Sequence, residues 1–189
     1  MLYCIHIPSP CVSPSFSEQS MSLTEIEIGQ ISKLEELLDY AFRDRELALH
    51  ALSVPTIANG NSYENYQYLE FYGDRVYNLC VITLLNQKHK MRVSPRKLDA
   101  RMKHVVSNSH LAKMAQRSGL TNLALKDGKI FQAVTKRHAS DIMEAVYGAV
   151  FIDSGNDFAT IFNIHLALEE NTTPLSKSAP ISPQQNAAL

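Results

Sequence analysis

Two carboxylates in the middle of one long apolar stretch constrain this chain more than any other feature. The stretch covers residues 65–88, where apolar residues recur at helical spacing, and it contains the run LEFYGD at residues 69–74. Glu70 and Asp74 are four residues apart, so both project from one face of the predicted helix, where like charges destabilise each other. A shared divalent cation would explain this pair. Gly73, which is unfavourable inside a helix, would allow another backbone to approach closely there.

A second acidic pair lies about seventy residues further along the chain. Asp141 and Glu144 are three residues apart in a predicted helix over residues 134–153, whose small residues, Gly148 among them, favour close packing. If the two helices meet acid to acid, four carboxylates surround one space, and burying them is prohibitive unless cations neutralise the charge. Oxygen ligands with no Cys or His nearby favour Mg²⁺, for which Mn²⁺ is a substitute.

These motifs, taken in order, resemble the ribonuclease III endonuclease domain. The resemblance rests on LEFYGD at residues 69–74, on DIMEAVYGA from Asp141, on DSG at residues 153–155 and on the segment at residues 98–120 between the acidic motifs. It extends over roughly residues 34–168. It implies an all-α fold, a helical bundle like the ribonuclease III endonuclease domain. It also implies an enzyme that cuts double-stranded RNA as a homodimer, leaving 5′-phosphate and 3′-hydroxyl ends.

The resemblance also implies roles for the four acidic residues. All of them would ligate the metal, and two would be the catalytic and least replaceable ones. The metal ligands are Glu70, Asp74, Asp141 and Glu144, and the catalytic residues are Asp74 and Glu144.

Three residues near the first acidic motif need separate comment. Phe71 matches a family position that packs across the dimer interface, and packing within the core of its own subunit is the alternative. Gln67 stands where the family commonly has an acid that assists the site, which leaves the number of metal ions and the catalytic efficiency open. Arg75 stands where a small residue is usual, and it is placed either to pair with Asp74 or to reach RNA.

The distribution of charge predicts a surface for a polyanion. The net charge of the chain is only −1, but residues 75–137 contain 14 of its 18 Lys and Arg residues and two of its 19 Asp and Glu residues. A basic segment beside an acidic metal site suits the binding and cleavage of a phosphodiester backbone. Solvation of helix faces is the alternative for any single basic residue. The predicted RNA-binding residues are Arg75, Arg96, Lys97, Arg101, Lys103, Lys136 and Arg137.

Three ranges describe the expected domain organisation. Residues 1–30 begin Ser- and Pro-rich and contain no Lys or Arg, which predicts a disordered extension rather than a targeting peptide. Residues 31–170 form the nuclease-like domain, and residues 171–189 form a disordered tail. That tail is too short for a double-stranded-RNA-binding domain, so substrate binding would depend on the dimer or on a protein partner. No apolar run approaches the roughly 18 residues of a membrane span, so we expect a cytoplasmic protein without membrane contact.

The sequence also makes smaller structural predictions. One helix is expected from Pro95, after an N-cap at Ser94, to about Arg117, followed by a loop around residues 127–128. The tyrosines near the first motif are expected to pack in the core or the dimer interface, with stacking on bases as the alternative. Cys80 is expected in the core. Surface or capping roles are expected for four histidines, namely His104, His110, His138 and His165.

Two functions follow from the sequence. The first is a metal-dependent, double-strand-specific endoribonuclease that processes structured RNA such as ribosomal RNA precursors. The second is a non-catalytic RNA-binding or ribosome-associated protein on the same fold. Four converging carboxylates favour the first function, because a protein that only binds RNA does not need them. Gln67 and the expected lack of an RNA-binding domain keep the second function open.

Overall fold

The computed structural model describes residues 23–56, 64–89 and 92–172. Within these ranges the chain forms seven α-helices, one short 3₁₀ helix and one two-stranded hairpin, so the prediction of an all-α fold is confirmed. The helices are α1 (Glu25–Leu38), α2 (Arg45–Leu52), α3 (Tyr66–His89), α4 (Pro95–Val105), α5 (Asn108–Arg117), α6 (Lys136–Asp153) and α7 (Phe158–Thr172). The 3₁₀ helix covers Leu120–Leu123, and the antiparallel strands are β1 (Leu125–Lys126) and β2 (Lys129–Ile130).

Helix α6 is the centre of the fold. It is apolar or small on nearly every face, and all residues from Ala139 to Val150 are buried. A helix of this kind is stable only when neighbours cover it on all sides. Helix α3 packs along it most extensively, and α5 and α2 cover other faces. The second acidic pair therefore lies on the most enclosed helix of the domain.

Two glycines let α3 and α6 pack at backbone distance. A Cβ atom added to Gly73 would lie 1.8 Å from the carbonyl oxygen of Glu144, and one added to Gly148 would lie 2.3 Å from the carbonyl oxygen of Leu69. No side chain larger than hydrogen fits at either position without moving a helix. The prediction that Gly73 permits close backbone approach is confirmed.

The ordered domain begins earlier than the predicted boundary at residue 31. Helix α1 starts at Glu25 because Thr24 forms a capping box with Glu27, in which each side chain bonds to the other residue's backbone N–H. At the other end, α7 continues to Thr172, slightly beyond the predicted boundary at residue 170. The predictions of disorder for residues 1–22 and 173–189 lie outside the described residues.

The single helix predicted from Pro95 to Arg117 is wrong, because the structure has two helices there. Helix α4 ends at Val105, and the Ser107 hydroxyl accepts a hydrogen bond from the backbone N–H of His110 at 3.3 Å, which caps α5. A Ser in this role starts a new helix more readily than it continues an old one. The break separates a helix without buried residues, α4, from the well-buried α5.

The tyrosine and histidine predictions are confirmed in part. Tyr66 and Tyr77 are buried as expected, whereas Tyr68 is 45% exposed. His138 caps α6 as part of a capping box with Thr135, which fits the expected capping role. Residue Tyr63 lies outside the described ranges.

His165 corrects the expectation of a surface or capping role. Its side chain is fully buried, and its Nδ1 lies 2.8 Å from the hydroxyl of Tyr147. The rings of Tyr77 and Phe162 also pack against it, with centroids 5.7 Å and 6.2 Å away. An imidazole is tolerated there because it is neutral and shares a hydrogen bond with another buried polar group. Cys80 is buried, as predicted.

Candidate metal centre

Three carboxylates from two helices converge on one pocket. Oxygen atoms of Glu70 on α3 and of Asp141 and Glu144 on α6 all lie within 4.8 Å of one another. Asp141 and Glu144 are only 5% and 8% exposed, and Glu70 is half-buried. The central prediction, that acids distant in sequence share one site, therefore agrees with the structure for these three residues.

Asp74 lines the same pocket but does not belong to the group of three. Its Oδ1 accepts a hydrogen bond from Nδ2 of Asn78 at 2.8 Å, and its Oδ2 lies 3.1 Å from Nη1 of Arg75. Both oxygens are thus engaged by donors of its own helix. All four acids thus line one pocket, three of them with oxygens within 4.8 Å of one another and Asp74 beside them, and metal ligation by the four stays a prediction.

The pocket carries an excess of negative charge, with four acids and two arginines among its lining residues. Burial, together with the nearby Asp74, Glu70 and Asp141, raises the pKa of Glu144 to about 8, although Arg75 acts in the opposite direction. Burial and the charge of Asp141 also raise the pKa of Glu70. Desolvation and like charges both disfavour ionisation, and a bound cation relieves both. An all-oxygen set of donors at this spacing fits a hard divalent cation such as Mg²⁺ or Mn²⁺.

Polar groups that the sequence analysis did not identify also contact or line the site. The hydroxyl of Tyr66 lies 3.3 Å from Oδ2 of Asp141, and burial followed by the charge of Asp141 raises the pKa of this tyrosine. Asn108, the first residue of α5, lines the pocket. The sequence signal that could have identified Asn108 is its place in residues 98–120, the segment between the two acidic motifs that resembles the family. Gln67, which the sequence analysis did identify, lines the pocket as well, so an amide stands where the resemblance implies an acid.

The pocket is open and mixed in charge at its rim. It has a volume of about 460 Å³, and Arg75 and Arg137 line it together with the acids. Nε of Arg137 lies 3.6 Å from Oδ2 of Asp141, one helical turn further along α6. Of the two roles considered for Arg75, pairing with Asp74 is what the structure shows.

The other predicted RNA-binding residues are exposed and occupy two helices. Four of them belong to α4, where Lys103 pairs with Asp99 at 2.9 Å and Arg101 contacts His89. Lys136 and Arg137 occupy the first turn of α6, next to the acidic pocket. Their contact with RNA stays a prediction. The residues on α4 are Arg96, Lys97, Arg101 and Lys103.

Phe71 is 63% exposed, so the alternative that it packs in the core of its own subunit is wrong. It borders an apolar cavity of about 420 Å³ on the outer face of α3. This apolar face is next to the acidic pocket, and Phe71 and Arg75 line both. The other residues of the apolar face are Tyr72, Val76, Leu79 and Phe151.

Fold and site together define an all-α domain in which two close helices bring together carboxylates whose oxygen donors fit a hard cation. Residues 67–155, which include every residue of the acidic pocket, match the family model described as the ribonuclease III domain. The chain therefore contains a ribonuclease III domain and, through it, belongs to the ribonuclease III family.

Curated relatives agree with this assignment. The chain is 32% identical over 135 residues to Ribonuclease 3 of Rhizobium meliloti, an alignment that covers 69% of this chain and 56% of the relative. It is 33% identical over 132 residues to Ribonuclease 3 of Aquifex aeolicus, with 67% and 54% covered. The chain thus spans about half the length of the curated relatives it matches.

Solved structures agree as well. The nuclease domain of ribonuclease III from Campylobacter jejuni is 28% identical and superposes with a TM-score of 0.65, covering 77% of this chain and 99% of that one. That structure is described as showing flexibility in a region involved in dimer formation. A second structure of the same domain gives a TM-score of 0.64, covering 76% and 96%.

Among the described residues, no helix is both long and apolar enough to cross a membrane.

Proposed function

We propose that this chain is a metal-dependent endoribonuclease that hydrolyses phosphodiester bonds of double-stranded RNA to 5′-phosphate and 3′-hydroxyl ends. The observation that carries this proposal is the convergence of Glu70, Asp141 and Glu144 within 4.8 Å of one another. A protein that only binds RNA gains nothing from buried acids facing each other, because their desolvation and mutual repulsion destabilise the fold. Membership of the ribonuclease III family supports the same reaction.

The metal ligands in this proposal are the three converging acids together with Asp74, and Mg²⁺ is the metal, with Mn²⁺ as a substitute. When bound, such a cation lowers the pKa of water and compensates charge on the phosphate. Two residues of the chain hold the acids in position. Tyr66 orients Asp141 through its hydroxyl, and the contact of Gly73 with α6 fixes the distance between the two acidic helices. Asp74 and Glu144 are the residues whose replacement we expect to be least tolerated.

RNA binding in this proposal depends on the basic residues of α4 and of the first turn of α6. A-form RNA presents phosphates and 2′-hydroxyls across a wide, shallow minor groove, so recognition is by shape more than by sequence. Affinity depends on phosphate contacts and therefore falls steeply as salt rises. We propose structured precursors such as those of ribosomal RNA as substrates and the cytoplasm as the place of action. A protein partner would supply further specificity.

We propose a homodimer built on the apolar face of α3. Phe71 and Leu79 are large apolar side chains that a monomer leaves in water, since they are 63% and 48% exposed. Their burial against a second copy is favourable in proportion to the area removed from water. One acidic pocket per subunit would then act on opposite strands.

A non-catalytic RNA-binding protein is the second candidate. Two observations favour it: Gln67 provides an amide at the pocket where the family commonly has an acid, and Asp74 is engaged by Arg75 and Asn78. Both features weaken a cation site without affecting the basic surface. This candidate predicts RNA binding without cleavage.

One experiment separates the two candidates. Purified protein is incubated with a perfect RNA duplex in Mg²⁺ or in chelator, and both cleavage and binding are measured. We expect cleavage in Mg²⁺, none in chelator, and binding without cleavage by Glu144→Gln. Glu36→Gln, which removes an exposed carboxylate on α1, is the matched control and should cleave like wild type. RNA binding by the wild type without cleavage in Mg²⁺ would favour the second candidate.

A further inference from the structure

Arg75 is folded back onto its own helix and touches three groups of it. Its Nη1 donates a hydrogen bond to the carbonyl oxygen of Phe71 at 2.6 Å and lies 3.1 Å from Oδ2 of Asp74. Its Cζ lies 3.9 Å from the centroid of the Phe71 ring, which is a cation–π contact. A planar guanidinium can stack on the ring while Nη1 donates, whereas an ammonium cannot stack in this way. Arg75 is thereby held in one conformation against Asp74.

Asp74 lies beside the other acids with both of its carboxylate oxygens already engaged. Its second oxygen accepts a hydrogen bond from Asn78 at 2.8 Å, so neither oxygen is free of a donor on α3. Glu70, Asp141 and Glu144 meet within 4.8 Å without it, although it lines the same pocket. To join the other three around a cation, Asp74 must exchange the Arg75 guanidinium for the metal.

We propose that Arg75 is a positioning residue that competes with the bound cation for Asp74, so that the ion pair and metal ligation by Asp74 exclude each other. This inference rests on the metal site proposed above. The guanidinium acts as a counter-ion within the pocket, and a cation that recruits Asp74 displaces it. The side chains of Arg75 and Asp74 are 60% and 40% exposed, so the competition is moderate. Removing it should tighten metal binding by about twofold to fivefold, as expected for a partly exposed ion pair.

The test measures Mn²⁺ binding by electron paramagnetic resonance, with no RNA present. Arg75→Ser should bind Mn²⁺ about twofold to fivefold more tightly than wild type. Loss of one positive charge near the pocket would also favour cations in a general way, and a second background separates the two effects. Asp74→Asn cannot form the ion pair. Adding Arg75→Ser to this variant should therefore raise Mn²⁺ affinity clearly less than adding it to the wild type.

Two further variants sharpen the comparison. Arg75→Lys keeps the charge but loses the planar stacking on Phe71 that holds the cation against Asp74, so it should also bind Mn²⁺ more tightly than wild type. Arg137→Ser removes a charge from the same rim, where the ion pair with Asp141 is longer at 3.6 Å, and it reports the general electrostatic gain. We expect its effect to be smaller than that of Arg75→Ser.

Two results would overturn the inference while leaving the metal site in place. One is an equal gain from Arg75→Ser in the wild-type and Asp74→Asn backgrounds. The other is unchanged Mn²⁺ affinity in both Arg75 variants. A different result would remove the metal site itself, and this inference with it: no Mn²⁺ binding by any variant, or binding that Glu144→Gln leaves unchanged.

Discussion

Gly73 lies so close to the backbone of Glu144 that a single added carbon would be 1.8 Å from its carbonyl oxygen. The close contact of α3 and α6 therefore lies next to residues that line the acidic pocket. Glu70 lies almost one turn before Gly73, and Glu144 is the residue that the glycine contacts. The spacing of these two carboxylates is thus set by backbone contact rather than by side-chain packing.

A methyl group at residue 73 should therefore damage both stability and site. We expect Gly73→Ala to lower the free energy of unfolding by about 3 kcal/mol or more, because the clash is with backbone and needs a helix shift. Urea unfolding followed by circular dichroism measures this change. Gly29→Ala on α1, where nothing lies within 4 Å, is the control. It should be neutral or stabilising by about 1 kcal/mol, since Ala is the better helix former.

Added Mg²⁺ should stabilise the folded protein through the acidic pocket. At a hundredfold excess over its Kd, a ligand that binds only the folded state adds about 2.7 kcal/mol to stability. We expect the melting temperature of the wild type to rise with Mg²⁺ and that of Glu144→Gln to stay constant. Differential scanning calorimetry with Mg²⁺ and with chelator measures both. Equal shifts in the two proteins would place the cation elsewhere.

The part of the site that followed from sequence is the part that depends on helical spacing. Glu70 and Asp74 share a face because they are four residues apart, and Asp141 and Glu144 because they are three apart. Gly73 and Gly148 indicate where two helices touch. The position of the Asp74 carboxylate did not follow. It depends on which rotamers Arg75 and Asn78 adopt, and spacing does not determine that.

The apolar face of α3 should be required for dimer formation. We expect Phe71→Ser to shift the protein towards monomer in sedimentation equilibrium, because the substitution removes the most exposed large apolar side chain of the described residues. Ile130→Ser is the control, since Ile130 is 49% exposed but lies in the hairpin. A wild type that is monomeric at all concentrations would contradict the proposed dimer, and so would equal effects of the two substitutions.

Asp153 should stabilise the connection between α1 and α2. Its carboxylate accepts hydrogen bonds from the hydroxyl of Tyr40 at 2.6 Å and from the backbone N–H groups of Arg43 at 3.0 Å and Asp44 at 2.8 Å. Asp153→Asn replaces one acceptor with a donor facing another donor, and we expect a loss of about 2 kcal/mol in urea unfolding. Asp157→Asn, at an exposed cap, should cost less. A result in the reverse order would contradict this role.

His165 should make stability depend on pH in a defined window. Burial lowers its pKa from 6.5 to about 4, and His110 and Lys88 act in the same direction while Glu169 opposes them. The folded state thus keeps His165 neutral, whereas the unfolded state takes up a proton near pH 6.5. The stability that this group contributes is complete above pH 6.5 and is lost as pH falls towards 4.

The measurement is the difference in unfolding free energy between wild type and His165→Asn. The difference should change by about 2–3 kcal/mol between pH 7 and pH 4, with the wild type losing more. Other titrating groups, such as His50, are common to both proteins and cancel. A difference that stays constant across this range would show that the pKa of His165 is the same in the folded and unfolded states, and would contradict this prediction.

What the sequence analysis got wrong or left open shares one cause: each feature depends on contacts that the spacing of residues along a helix does not reveal. The helix break at Ser107 depends on a single side-chain hydrogen bond, which helical periodicity across residues 95–117 does not reveal. The burial of His165 depends on aromatic rings from α3 and α6 that meet it only in the fold. Phe71 was left open between core and interface because a helix with apolar residues on several faces does not indicate which face is covered.

The break at Ser107 also has a dynamic consequence. Helix α4 contributes no buried residue, so opening it exposes little apolar surface and costs far less than opening α6. Its amide hydrogens should therefore exchange with solvent much faster than those of the acidic helices. In the RNA-binding mode proposed above, α4 would adapt its shape to a duplex while the acids on α3 and α6 keep their positions.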